Sequence, residues 1–220
     1  MKNLMTYGIA MLLFVTICTL ESCKKEKFKL SDKIQNIISE KTLEELVSKG
    51  LIVNDGTSPP DVGGIYFVSP YELVSPYGTD DPWTKGKIIN DYKYKIYDQN
   101  NDDIKVDFKN SANSDVASAV GSFVSGSGKK FTIFSEQNGT SGGATYKNVS
   151  IISGEITDDG IKDFQYAFVI TDKNDPLNQI MEIGQSRIWK DGNNMSETIS
   201  TYRMSEPNNK LPSISQVAIE

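Results

Sequence analysis

Hydrophobic positions along this chain change their period twice. From Ile9 to Leu20 they run together as a largely apolar block of about a dozen residues, the length of a signal-peptide core and too short to cross a bilayer as a helix. Between residues 31 and 49 they recur every three or four positions: Ile34, Ile37 and Ile38, then Leu43, Leu46 and Val47. That spacing predicts a helix pair, or one bent helix, with an apolar stripe. Ser31-Asp32 supplies a cap, Thr42-Leu-Glu-Glu45 is a capping-box pattern, and Gly50 is a stop. The stripe either packs on the main domain or offers a helix to a partner.

After Gly50 the period drops to two. Leu51-Ile-Val53 and Ile65-Tyr-Phe-Val68 read as short strands, separated by a Pro-containing turn region. Tyr92, Tyr94 and Ile96 alternate with lysines, and Ile104, Val106 and Phe108 repeat the pattern. In the next segment Val116, Val120 and Val124 fall on one face, while Ala117, Ala119, Gly121 and Phe123 fall on the other. Strands are also expected around Phe131-Ile133, Tyr146–Ile156, Phe164–Ile170, Ile180–Trp189, Met195–Met204 and 214–219. Asp158-Asp-Gly160 and Asp191-Gly-Asn-Asn194 are turn signals between them. With no helix to carry a parallel crossover, the sheet should be antiparallel.

The fold expected is therefore mainly β: an antiparallel up-and-down barrel of about eight to ten strands, closed to hide its edges, behind a short N-terminal helical segment. Residues 1–22 read as a signal peptide, 23–30 as a tether, 31–50 as the helical segment and 51–220 as the barrel domain.

Composition narrows the chemistry. The balance is 23 basic against 29 acidic residues, net −6, without the basic stripe that nucleic-acid binding uses. Histidine is absent, which removes the usual base near neutral pH and most zinc sites. The two cysteines are Cys18 and Cys23, so no thiol nucleophile or internal disulfide is available to the domain beyond them.

Leu20-Glu21-Ser22-Cys23, with Lys24-Lys-Glu-Lys27 after it, resembles a lipobox. The resemblance implies cleavage before Cys23 and lipidation of that cysteine, an anchor of several acyl chains. The Cys-Lys-Lys-Glu start and the segments Gly50–Gly56 and Pro59–Pro70 are similar to those of uncharacterised Bacteroidetes lipoproteins. That likeness implies a bacterial envelope location, anchored by lipid, on the outer membrane facing the periplasm. Gly64-Ile65-Tyr66 is distantly similar to the Gly-x-Trp first strand of lipocalin and calycin barrels. In those barrels a basic residue on a late strand lies over the aromatic ring, which nominates Arg203, and Arg187 second, as the partner of Tyr66.

Candidate sites are few. Trp83, Tyr92, Tyr94 and Trp189 could form an aromatic surface for a sugar or an apolar ligand. The small residues of 116–126 either leave a cavity or let the helical segment pack close. Asp98–Asp103 offers oxygen ligands, but Asn, Asp and Gly are also what a hairpin turn prefers, and no metal or cofactor is expected. Glu72, Asp80, Asp81, Glu155 and Asp158 could supply a hydrolytic pair, yet their spacing singles out none. The expectation is a non-enzymatic, membrane-anchored module that binds a small apolar ligand, a glycan or an envelope protein. An accessory subunit without a cavity and a carboxylate hydrolase are the rivals.

Overall fold

The computed structural model describes residue 28 and residues 30–203. Cys23, the signal segment and the strand expected at 214–219 lie outside them. Two helices lead, α1 (Asp32–Ile37) and α2 (Glu40–Ser48). They form a pair rather than one bent helix, because Ile38 and Ser39 have extended backbone between them. The second helix begins before the Thr42 box. Ser39 is its cap, with Thr42 N donating to Ser39 Oγ at 3.2 Å and satisfying an amide that a helix start leaves open. Gly50 follows with φ +107°, a left-handed exit that suits glycine.

Twelve strands make one sheet. They are β1 (Thr57–Ser58), β2 (Gly64–Val68), β3 (Tyr71–Ser75), β4 (Ile88–Ile89), β5 (Tyr92–Asn100), β6 (Asp103–Asn110), β7 (Asp115–Ser127), β8 (Lys130–Ser141), β9 (Ala144–Ile156), β10 (Gly160–Asn174), β11 (Ser186–Asp191) and β12 (Met195–Thr198). Every pairing is antiparallel except the short β1–β7 contact. Leu51–Val53 does not join the ladder as expected. Side chains of the sheet take its backbone groups instead: Ile52 N donates to Gln165 Oε1 at 2.7 Å, and Gln165 Nε2 donates to Gly50 O at 3.1 Å.

The pairings close on themselves. β2, β5, β6, β7, β8, β9, β10 and β12 follow in sequence around a ring, and β12 bonds both β10 and β2. Short hairpins produce this order, since they place sequence neighbours side by side. Three adjacent staves of the ring are broken in two. β2–β3 breaks at Ser69-Pro70, β4–β5 at Asn90-Asp91, and β11–β12 at Gly192–Asn194. β3 pairs with β4 in the same register that β2 keeps with β5. The breaks lie together, and Asp191 stitches two of them: its Oδ2 accepts from Ser69 N at 3.2 Å and from Ser196 Oγ at 2.9 Å.

Alternation along the strands separates two apolar clusters. One, enclosed by the ring, is rich in aromatics: Tyr66, Tyr94, Phe108, Phe131, Phe164 and Trp189 are all buried. The other lies where the helices pack. Ile34, Ile38, Leu43 and Leu46 meet Phe134, Val149, Ile151, Ala167 and Ile188 from β8–β11. Leu43 and Leu46 are fully buried, a gain of about 2 kcal/mol each. The face assignment of 116–124 changes along β7. A bulge between Ala119 and Gly121 shifts the register by one residue. Ala117 and Val124 therefore share the enclosed cluster, Val120 is exposed, and Phe123 turns to the helix side.

Candidate functional site

A cavity of about 460 Å³ opens at one end of the ring, below the loops 76–87 and 175–185. Its aromatic wall follows from strand parity. Tyr71 on β3, Tyr92 on β5, Tyr166 and Phe168 on β10 and Trp189 on β11 line it. The rings form a continuous chain. Tyr71 stacks on Trp189 with centroids 5.1 Å apart and lies 4.6 Å from Tyr92, while Trp83 meets Trp189 edge-on at 5.9 Å.

The roof is fastened by an ion pair. Asp81 accepts from the backbone N of Tyr77 and of Trp83, each at 2.9 Å, which folds loop 76–87 around its carboxylate. Arg187 on β11 then donates through Nε and Nη2 to Asp81 at 2.8 and 2.6 Å, and its guanidinium lies 4.1 Å from the Trp83 ring centre. Burial pushes the Asp81 carboxyl up; the Arg187 bonds and the two backbone amides outweigh it and hold the group below its ordinary range.

The floor carries a different acid. Asp115, at the start of β7, lines the cavity and accepts from Tyr92 Oη at 2.6 Å and from Tyr146 Oη at 2.9 Å. No ion pair reaches it among the described residues. Burial raises its pKa, and the two hydroxyl bonds pull only partly the other way. Burial also pushes the Tyr92 and Tyr146 hydroxyls up, so both stay protonated donors. Tyr146 lies against Gly139, where a Cβ would come within 2.3 Å of its ring. Beside Asp115, Asn148 lines the cavity at 2 % exposure, and its Oδ1 has no hydrogen-bond partner.

Three of the four aromatics nominated from sequence meet here: Trp83, Tyr92 and Trp189. Tyr94 does not line the cavity. It is fully buried beneath it, its hydroxyl 2.7 Å from that of Tyr71. Tyr66 and Arg203 are not brought together. Tyr66 Oη donates to Val62 O at 3.0 Å, its ring lies against Gly64, and Arg203 is exposed with its carbonyl accepting from Lys93 Nζ at 3.0 Å. The guanidinium that covers an aromatic ring is that of Arg187.

The remaining nominations resolve into ion pairs and turns. Asp98 pairs with Lys105, and Asp102 and Asp103 with Lys33, while Asp98 and Asn101 take positive φ in the turn. Glu72 pairs with Lys190. No cluster of three metal-ligating side chains occurs among the described residues. A second hollow of about 640 Å³ crosses the β6–β9 rim; it is shallower and open, with Lys109, Lys147 and Lys173 around it.

Sequence reasoning missed Asp115, Asn148, Tyr71, Tyr146 and the Asp81–Arg187 pair. A signal existed for two of them. Asn148 stands in phase with Tyr146 and Ile152, and Asp115 in phase with Ala117, so each is a polar residue at an inward position. Comparison of the chain with protein-family models, with curated proteins and with solved structures finds no match.

Proposed function

We propose that this chain is a non-enzymatic ligand-binding barrel of the bacterial cell envelope, held to its membrane by lipid on Cys23. In this reading the closed ring is a barrel of lipocalin type, and the cavity at its mouth is the binding site. The aromatic cavity carries the proposal. Its volume lies within the roughly 300–1,000 Å³ of small-molecule sites, and its lining combines aromatic rings with polar side chains such as Asp115, Asn148 and Gln185. Hydrolysis is the weaker reading, because Asp81 and Glu182 are each engaged by a cation and leave Asp115 without a free second acid. No helix among the described residues is long and apolar enough to cross a membrane.

The chain's two tryptophans, Trp83 and Trp189, both line the cavity, so its own fluorescence reports occupancy. Protein purified from its native membrane should show an acylated Cys23 and a co-purifying small molecule by native mass spectrometry. Removing that molecule should shift the tryptophan emission, and adding it back should restore the shift. An unliganded protein whose emission responds to no member of a chemically varied panel would refute the binding role. Cys23→Ser should move the folded domain to the soluble fraction; a variant that still sediments with membranes refutes the lipid anchor.

A further inference from the structure

We propose that the cavity takes a small organic cation, an ammonium group on a compact apolar body, seated on Asp115 and Asn148 and caged by the neighbouring rings. The inference rests on the cavity being a ligand site and names the chemistry of the occupant.

Few charges line the cavity. Apart from the tyrosines, its ionisable side chains are Asp115, Glu182 and Arg187. Arg187 is spent on Asp81 through two hydrogen bonds, and its face is covered by Trp83. Glu182, at the rim, is paired with Lys173 at 2.8 Å. Asp115 alone faces the space without a cation; its partners are the neutral hydroxyls of Tyr92 and Tyr146. A half-buried carboxylate held only by hydroxyls keeps much of its charge uncompensated, and a ligand of positive charge completes it.

A second observation points the same way. Asn148 lines the same space, and its buried Oδ1 accepts nothing. Buried acceptors are almost always satisfied, so a donor is missing there, and an ammonium N–H supplies it. The walls add a third attraction. Tyr71, Tyr92 and Trp189 line the cavity as linked aromatic rings, and such rings attract a cation that comes within about 6 Å of a face. An anionic ligand would meet Asp115 and find no free cation. A neutral ligand would leave the carboxylate uncompensated.

The test uses benzylammonium, its neutral carbon isostere ethylbenzene, and benzenesulfonate, each followed by tryptophan emission and calorimetry. The cation should bind about tenfold or more tightly than the isostere, and the sulfonate least, since cation–π contact and charge pairing each contribute on the order of a factor of ten. Asp115→Asn, which keeps an acceptor for the tyrosines, should cut the preference about tenfold while the isostere still binds; Tyr71→Leu should weaken the cation more than the isostere. Equal binding of cation and isostere overturns this proposal and leaves the cavity reading standing. Binding of none of the probes, with none of a quaternary cation such as benzyltrimethylammonium either, overturns both. Retention of the full preference in a folded Asp115→Asn protein, with its circular dichroism unchanged, also overturns it.

Discussion

Arg187→Met tests how the cavity is roofed. The substitution keeps an unbranched stem under Trp83 and removes the guanidinium. Asp81, whose side chain is fully buried, then loses both of its charge-assisted bonds while keeping the two backbone amides of Tyr77 and Trp83. Removing one partner of a buried pair costs about 3–5 kcal/mol, and the surviving amides place this case near the lower end, about 3 kcal/mol. For a domain of this size that corresponds to roughly 6–12 °C in Tm. Chemical denaturation and thermal melts measure it. Adding Asp81→Asn should recover at least half of the loss, because the remaining group is then neutral. The Asp81 carboxyl is held below its ordinary range, so the pair contributes fully at neutral pH and fades only as pH falls through that lowered value. The deficit of Arg187→Met should therefore shrink in acid. A loss of less than about 1 kcal/mol, the scale of an exposed pair, refutes the assignment.

Asp115→Asn should change the pH profile in the opposite sense. Burial raises the Asp115 pKa, so the folded state holds this proton more tightly than the unfolded chain does. The unliganded protein should gain stability as pH falls from neutral towards the ordinary carboxylate range, and the Asn variant should lack that gain; melts from pH 7 to pH 4 compare them, and identical slopes contradict the assignment. Gly139→Ala places a Cβ within 2.3 Å of Tyr146 Cζ, so Tyr146 must move and its bond to Asp115 breaks. A cost of about 1–3 kcal/mol is expected in denaturation, and an unchanged midpoint would show that Tyr146 has room the packing denies it.

Much of the fold was legible because alternation is a local signal. Tyr92–Ile96, Ile104–Phe108 and Phe164–Ile170 carried their strands on pattern alone, and hairpin turns then dictated neighbours. The helix pair was legible from its isoleucine and leucine spacing. What escaped depended on a single inserted residue or a distant partner. The bulge after Ala119 reversed the faces of Phe123 and Val124 relative to Ala117, and nothing in a stretch of small residues marks where a register will slip. Leu51–Val53 has strand composition, but Ile52 N meets the Gln165 side chain, and Asn54 N after it meets that of Thr132, instead of a ladder. In the site, Trp83, Tyr92 and Trp189 were found as aromatics in β-rich sequence. Asp81 and Arg187 are 106 positions apart, and only the closed ring brings them together. Arg203 was nominated from a family likeness, and the structure puts Arg187 over an aromatic ring instead.

The aligned breaks in three staves divide the labour of the molecule. The hydrogen bonds that close the ring run through β2, β5, β10 and β12. The roof loops, Tyr71, Arg187 and Trp189 hang on the far side of the crease, on β3, β4 and β11. Asp115 and Asn148 sit on strands that run unbroken. Insertions in the loops 76–87 and 175–185 can therefore recut the mouth without touching the strands that close the ring or carry Asp115 and Asn148. The shape of the cavity mouth and the acid on its floor are thus carried by separate parts of the sheet.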